Sequence, residues 1–335
     1  MDRRRFCASL VATAIGASRV CAEPATESTL ENVFADLDPM AIFTKTGGGK
    51  QFWADVWFFR DYRIQCHALT THYRLLDGDN HRLASGTFEE CRAKLDAIRD
   101  RDKLEPMTGK ALIFLHGLFR TRGAMNAICK HIRDAGGYTT FCMGYPTTRG
   151  SVDSHARSLD SVVRSLEGMS ELNFVAHSLG NLVVRHWLNN FDAEKRALPH
   201  GQTFGRMVML APPNHQPQIA TQLIRGPVTY VAGAAAQELA TGWEGLETKL
   251  ATPKFEFGIL AGGRGDNKGF NPLLPGDDDG VVTVEGTRLA GARDFRVIPV
   301  MHTFFMDDRR AQELTLKFLN DGHFESDETR QPVES

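Results

Sequence analysis

The sequence predicts an α/β protein, a mainly parallel sheet with helices on both faces, preceded by a strand-rich N-terminal region. Three observations carry this. From Ala111 onward, apolar runs of strand length alternate with segments of helical period, the pattern of strands buried on both faces and joined by crossover helices. One such run, residues 172–176, leads into Ala176-His177-Ser178-Leu179-Gly180, where small residues flank a serine two positions to either side, as a sharp strand-to-helix turn requires. Ser178, an acidic run (Asp277, Asp278, Asp279) and His302 then follow three of these strands in chain order. Their carboxyl ends are where a parallel sheet binds ligands.

At the N-terminus, Arg3-Arg4-Arg5-Phe6, a mildly apolar run over residues 7–16, and Val20-Cys21-Ala22 before Glu23 read as an export signal covering residues 1–22. The adjacent arginines resemble the twin-arginine type, and the expected location is periplasmic or extracellular. Cleavage would remove four arginines and one aspartate, leaving 35 basic and 40 acidic side chains, a net charge of −5. That balance, with no basic stripe, argues against a nucleic-acid partner. No later run reaches the ~18 apolar residues of a membrane span. Cys66, Cys91, Cys129 and Cys142 would remain in an oxidising compartment. Proximity in sequence favours the pairs Cys66–Cys91 and Cys129–Cys142, and none of the four shows zinc-ligand spacing.

Residues 31–109 differ in pattern from residues 110–323. Phe52, Trp53, Val56, Trp57, Phe58 and Phe59 form an aromatic-rich cluster that reads as core rather than as a ligand platform. Extended stretches flank the turn signal Asp77-Gly78-Asp79-Asn80, and Thr87-Phe88-Glu89-Glu90 fits a capping box that starts a helix. The region is expected as a small strand-rich module or as antiparallel strands added to the sheet edge. Gly47-Gly48-Gly49-Lys50 lacks the spacing of a phosphate-binding loop and reads as a turn.

The main domain is expected over residues 110–323. Strands are predicted at 111–115, 138–143, 172–176, 207–210, 255–260 and 295–300. Helices are predicted at about 123–135, at 152–166, after Ser178, and at 310–319. Residues 213–254 exceed a short connection; Ile219, Leu223, Ile224, Val228, Tyr230 and Val231 suggest helical pieces, either a cap over the site or a peripheral insertion. Residues 262–276 read as loop, and 324–335 as a polar tail.

Ser178 needs a base to take its proton as it attacks, a role that His302 can fill. A carboxylate must then hold the other ring nitrogen. Asp279 is the choice because a tight turn at Gly280 can aim it inward, with Asp277 and Asp278 as alternatives. An oxyanion needs two N–H donors. Leu179 follows the serine, and Leu118 lies in His116-Gly117-Leu118-Phe119 after the first strand. His177 should point away from the nucleophile, and His116 should support the loop.

Ile113-Phe114-Leu115-His116-Gly117-Leu118, Phe174-Val175-Ala176-His177-Ser178-Leu179-Gly180, Asp278-Asp279-Gly280-Val281-Val282 and Val300-Met301-His302-Thr303-Phe304 together resemble the bacterial lipase and esterase branch of the α/β-hydrolase superfamily. Met209-Leu210-Ala211-Pro212-Pro213-Asn214 resembles that family's strand leading to the cap. The resemblance spans about residues 110–323 and implies an esterase or lipase acting on a small-molecule or lipid ester through an acyl-enzyme, with no cofactor and no metal. The same machinery serves thioesterases and amidases. A non-catalytic scaffold that binds a partner through residues 31–109 is the remaining alternative. Leucines at 118 and 179 incline the expected acyl group toward apolar.

Overall fold

The structure, a computed structural model, describes residues 50–217 and 233–334. These belong to one unit, Met40–Ser335. The expected export signal, the Gly47-Gly48-Gly49 turn and the apolar cap residues between 219 and 231 lie outside the described residues.

An antiparallel sheet comes first in the chain, with β1 (Trp53–Phe59), β2 (Tyr62–His67), β3 (Tyr73–Leu76) and β4 (Arg82–Gly86) paired in that order. Helix α1 (Phe88–Arg101) starts from the expected box: the Thr87 hydroxyl accepts the N–H of Glu90 at 3.2 Å and the Glu90 carboxylate accepts the N–H of Thr87 at 2.7 Å. Cys91, Leu95 and Ile98, at helical spacing, are its buried side chains.

The second sheet contains β5 (Gly109–Leu115), β6 (Thr139–Met143), β7 (Met169–His177), β8 (Thr203–Leu210), β9 (Phe257–Gly262) and β10 (Asp294–Ile298). Their order is β10-β9-β8-β7-β5-β6, and every pair is parallel. The helices are α2 (Asn126–Ala135), α3 (Val152–Ser165), α4 (Leu179–Ala193), α5 (Ala234–Ala240), α6 (Trp243–Glu247) and α7 (Arg309–Asp321). Strand alternation divides the core. Ala111, Ile113 and Leu115 face α3 and α4, while Leu112 and Phe114 pack with Ile128 and Ile132 of α2 and Phe318 of α7. The chain runs out from β5 to β6 and returns to the other side of β5 at β7. The crevice beyond the carboxyl ends of β5 and β7 is therefore the place where this topology opens a site.

The antiparallel strands form a sheet of their own rather than an extension of the large one. They dock through β1. The N–H of Phe58 donates to Ser165 Oγ at 3.0 Å, the Phe58 ring meets Phe141 edge-on at 5.5 Å, and the N–H of Asp55 donates to the carbonyl of Gly144 at 2.8 Å. The aromatic cluster divides accordingly: Phe58 and Phe59 are buried, whereas Trp53 and Trp57 are half-buried.

Residues 324–334, expected as a polar tail, run back along β10. Asp294, fully buried, accepts the N–H groups of Phe324 at 2.8 Å and Gln331 at 2.9 Å, and Phe324 is buried against Phe318.

All four described cysteines are free thiols, so the expected pairings are not formed. Cys66 donates to the carbonyl of His67 at 3.7 Å, and Cys91 is buried beneath α1. Cys129 and Cys142 meet as thiols. Hydrogen bonding from Cys142, aided by Arg133 and opposed by burial, holds Cys129 below the usual thiol range.

Candidate active site

Strand β7 ends in a backbone corner. Ser178 has φ 53° and ψ −121°, a left-handed conformation that costs a non-glycine residue about 1–3 kcal/mol. A Cβ at Gly180 would lie 2.7 Å from the carbonyl oxygen of Leu115, so α4 can press onto β5 only with glycine there. A Cβ at Gly117 would lie 3.1 Å from that of Ser178, which brings the loop after β5 directly over the serine.

His302 arrives in a 3-10 turn after β10. Its Nε2 is 3.0 Å from Ser178 Oγ, and its Nδ1 is 2.7 Å from Asp279 Oδ2. The Asp279 side chain is fully buried. Its Oδ1 accepts the N–H groups of Val281 at 2.9 Å and Val282 at 2.7 Å, and its carbonyl accepts the N–H of His302 at 2.9 Å. The other two aspartates face elsewhere. Asp277 accepts from Arg264 and Gly265, and Asp278 from Asn271 and Gly280. Desolvation pushes Asp278 above the usual carboxylate range, against the hydrogen bonds it accepts. A carboxylate on Nδ1 sets the tautomer in which Nε2 accepts the serine proton.

His177 reaches the segment that carries His302. Its Nε2–H donates to the main-chain carbonyl of His302 at 2.9 Å, and the two rings lie 4.7 Å apart. Burial, reinforced by His302, holds its pKa well below the usual histidine value, so the ring is neutral. No periodicity marks this residue in the sequence, because its partner is 125 positions away.

The N–H of Leu118 makes no hydrogen bond to any described residue, and that of Leu179 is at the first position of α4, where no intrahelical acceptor exists. The loop after β5 is braced on both sides. The N–H of Phe119 donates to Thr147 Oγ1 at 3.1 Å, Gln51 Nε2 to the carbonyl of Arg120 at 2.7 Å, and Arg120 Nη2 to the carbonyl of Thr303 at 3.3 Å. His116 Nδ1–H donates to the carbonyl of Gly117 at 3.0 Å while its ring stacks on Tyr145, a supporting position as expected.

The six-stranded order, the strained corner at the end of the strand beside the switch point, and the loop from β5 above it decide the architecture. It is an α/β-hydrolase fold. No family model and no curated protein matches the chain. Solved structures similar to it are bacterial lipases, esterases and other hydrolases. A Bacillus licheniformis lipase in propeptide form is 19% identical at a TM-score of 0.44, over 58% of this chain and 46% of that one. The carboxylesterase of Bacillus subtilis is 11% identical at 0.43, over 80% and 91%. An esterase from Exiguobacterium antarcticum is 13% identical at 0.42, over 64% and 93%.

Two features of the site differ from the sequence expectation. The Leu179 side chain is fully buried in the core, so it cannot line an acyl site. Phe119, Met301 and Phe304, at 57%, 45% and 55% exposure, are instead exposed apolar side chains in the loop after β5 and in the segment around His302. Among the described residues, no group of three or more His, Cys, Asp or Glu is placed to hold a metal, and no helix is long and apolar enough to cross a membrane.

Proposed function

We propose that the protein is a serine hydrolase that cleaves carboxylic esters through an acyl-enzyme, with Ser178 as nucleophile, His302 as general base and acid, and Asp279 as the group that orients the base. The observation carrying this reading is the continuous line from Ser178 Oγ to His302 Nε2 (3.0 Å) and from His302 Nδ1 to Asp279 (2.7 Å).

Ser178 Oγ attacks the ester carbonyl carbon as its proton passes to His302 Nε2. The carbonyl π bond becomes an oxyanion that accepts from the N–H groups of Leu118 and Leu179. One such donor is typically worth about 3–4 kcal/mol in the transition state. Collapse breaks the bond to the alkoxy oxygen, which leaves as alcohol with the proton from His302. Water then repeats the sequence on the acyl-enzyme, releasing the acid and restoring Ser178. Asp279 holds the ring and stabilises the imidazolium. The exposed apolar rim of Phe119, Met301 and Phe304 suits a small-molecule or lipid ester with an apolar acyl chain. An export signal over residues 1–22 would place this activity in the periplasm or outside the cell, and a mature protein whose first residue is Glu23 is the expected product.

The test is hydrolysis of p-nitrophenyl esters from butyrate to palmitate by the wild type and Ser178→Ala. The variant should lose on the order of a millionfold in kcat if the triad acts as a unit. An inactive wild type, or equal rates in the two proteins, would overturn the proposal.

A further inference from the structure

Between the antiparallel sheet and the loop after β5 lies a cavity of about 410 Å³, walled by Arg63, Arg74, His116, Arg122 and Tyr145 among others and containing none of Ser178, Asp279 and His302. Three guanidinium groups converge on it. Arg63 is 2% exposed and Arg74 8%, while Arg122 is half-buried with its Nη1 fully shielded. The three come from β2, β3 and the turn that follows the oxyanion loop.

The acceptors available to them are few. Asp55, fully buried, gives Oδ2 to the N–H of Gly144 at 2.6 Å and Oδ1 to Gln65 Nε2 at 2.7 Å, which leaves Arg63 Nη1 as a distant partner at 3.5 Å. Arg63 Nη2 reaches the side chain of Asn80. Arg74 is held by the neutral oxygen of Gln65, at 2.9 and 2.7 Å, and its guanidinium stacks 3.9 Å above Trp53. Asp79 lines the mouth but is exposed. Among the described residues, neither Arg74 nor Arg122 forms an ion pair. Arg63 Nε and Arg122 Nη1 are buried without any hydrogen-bond partner.

A buried charge is expected to be paired, and a buried donor to find an acceptor. Here the cations crowd one another instead. Burial lowers the pKa of Arg63, with Arg122 adding to it, and burial together with Arg63 and Arg82 brings Arg74 down to about 10, against the pull of Asp55. An anion in the cavity relieves that repulsion.

We propose that this cavity binds a compact oxyanion of the phosphate class, either inorganic phosphate or the head of a phosphate monoester. A phosphate group offers at least three strong acceptor oxygens and nearly two charges, a match for three guanidinium forks that a single carboxylate lacks. The volume leaves room for an organic substituent.

The experiment is equilibrium dialysis of the mature protein against radiolabelled inorganic phosphate and against glycerol phosphate, with ionic strength held by chloride, on the wild type and Arg122→Gln. The expected result is one saturable site per chain, with Kd raised about tenfold to a hundredfold in the variant through loss of a charge-assisted bond. Tighter binding of the monoester would assign that form, and tighter binding of inorganic phosphate the free ion. No saturable binding to the wild type, which needs no variant to interpret, or equal Kd values in the two proteins would overturn the proposal.

Discussion

His177 and His302 are joined through main chain rather than through chemistry: the neutral imidazole of His177 donates from Nε2 to the carbonyl of His302 at 2.9 Å. The residue before Ser178 thereby holds the turn that carries His302, tying the end of β7 to the segment after β10. Misplacing a catalytic group by about 1 Å can cost on the order of a hundredfold in rate. His177→Phe should therefore lower kcat by about ten- to a hundredfold with little change in KM, and His177→Gln, which keeps an N–H donor, should recover part of the loss. An unchanged kcat in the phenylalanine variant would show that the hydrogen bond positions nothing.

The choice among the three aspartates has a direct kinetic consequence. Asp279→Asn should lower kcat by about ten-thousandfold, because an amide favours the wrong tautomer of His302. Asp278→Asn should retain most activity, since its carboxylate serves the main chain of Asn271 and Gly280. Steady-state kinetics on the pair checks both, and the reverse ranking would reassign the orienting group.

Gly180 separates packing from helix propensity. A methyl there would meet the Leu115 carbonyl oxygen at 2.7 Å, a main-chain atom that cannot swing aside, so Gly180→Ala should destabilise by about 1–3 kcal/mol. Gly245, in α6, has nothing within 4 Å of an added Cβ, and Gly245→Ala should be neutral or stabilise by up to about 1 kcal/mol. Urea denaturation of the two variants measures the contrast, and equal shifts would contradict it.

Stability should fall in mild acid. Burial brings His116 down to about 4 and His155 to about 3, and holds His177 well below 6.5. With folded-state values depressed, the unfolded chain takes up these protons first. The stabilisation is complete above about pH 6.5 and is lost as pH falls toward 4, at about 1.4 kcal/mol per pH unit for each histidine. The urea midpoint should decline steadily below about pH 6.5, and a flat midpoint to about pH 5 would contradict the assignment.

Much of the fold is legible because strand periodicity is local. The run read at 172–176 lies in the buried stretch of β7, which extends to Met169–His177 through Ser170 and Glu171, polar residues at its amino end that mask the signal. Asp279 is legible through its glycine: Gly280 has φ 98°, and the turn it permits presents the N–H groups of Val281 and Val282 to the carboxylate. The role of His177 and the convergence of Arg63, Arg74 and Arg122 are not legible. Each depends on residues brought together from separate elements, and no spacing in the chain encodes that meeting. The Leu179 side chain misleads for a related reason, since it is buried in the core formed by residues from separate elements.

The most direct measurement of the central claim is stoichiometric labelling with a fluorophosphonate, followed by peptide mapping, on the wild type and His302→Ala. An activated Ser178 predicts one label per chain on the peptide containing it, nearly abolished in the variant. An unlabelled wild type, or a label on another residue, would contradict the assignment of Ser178 as the nucleophile.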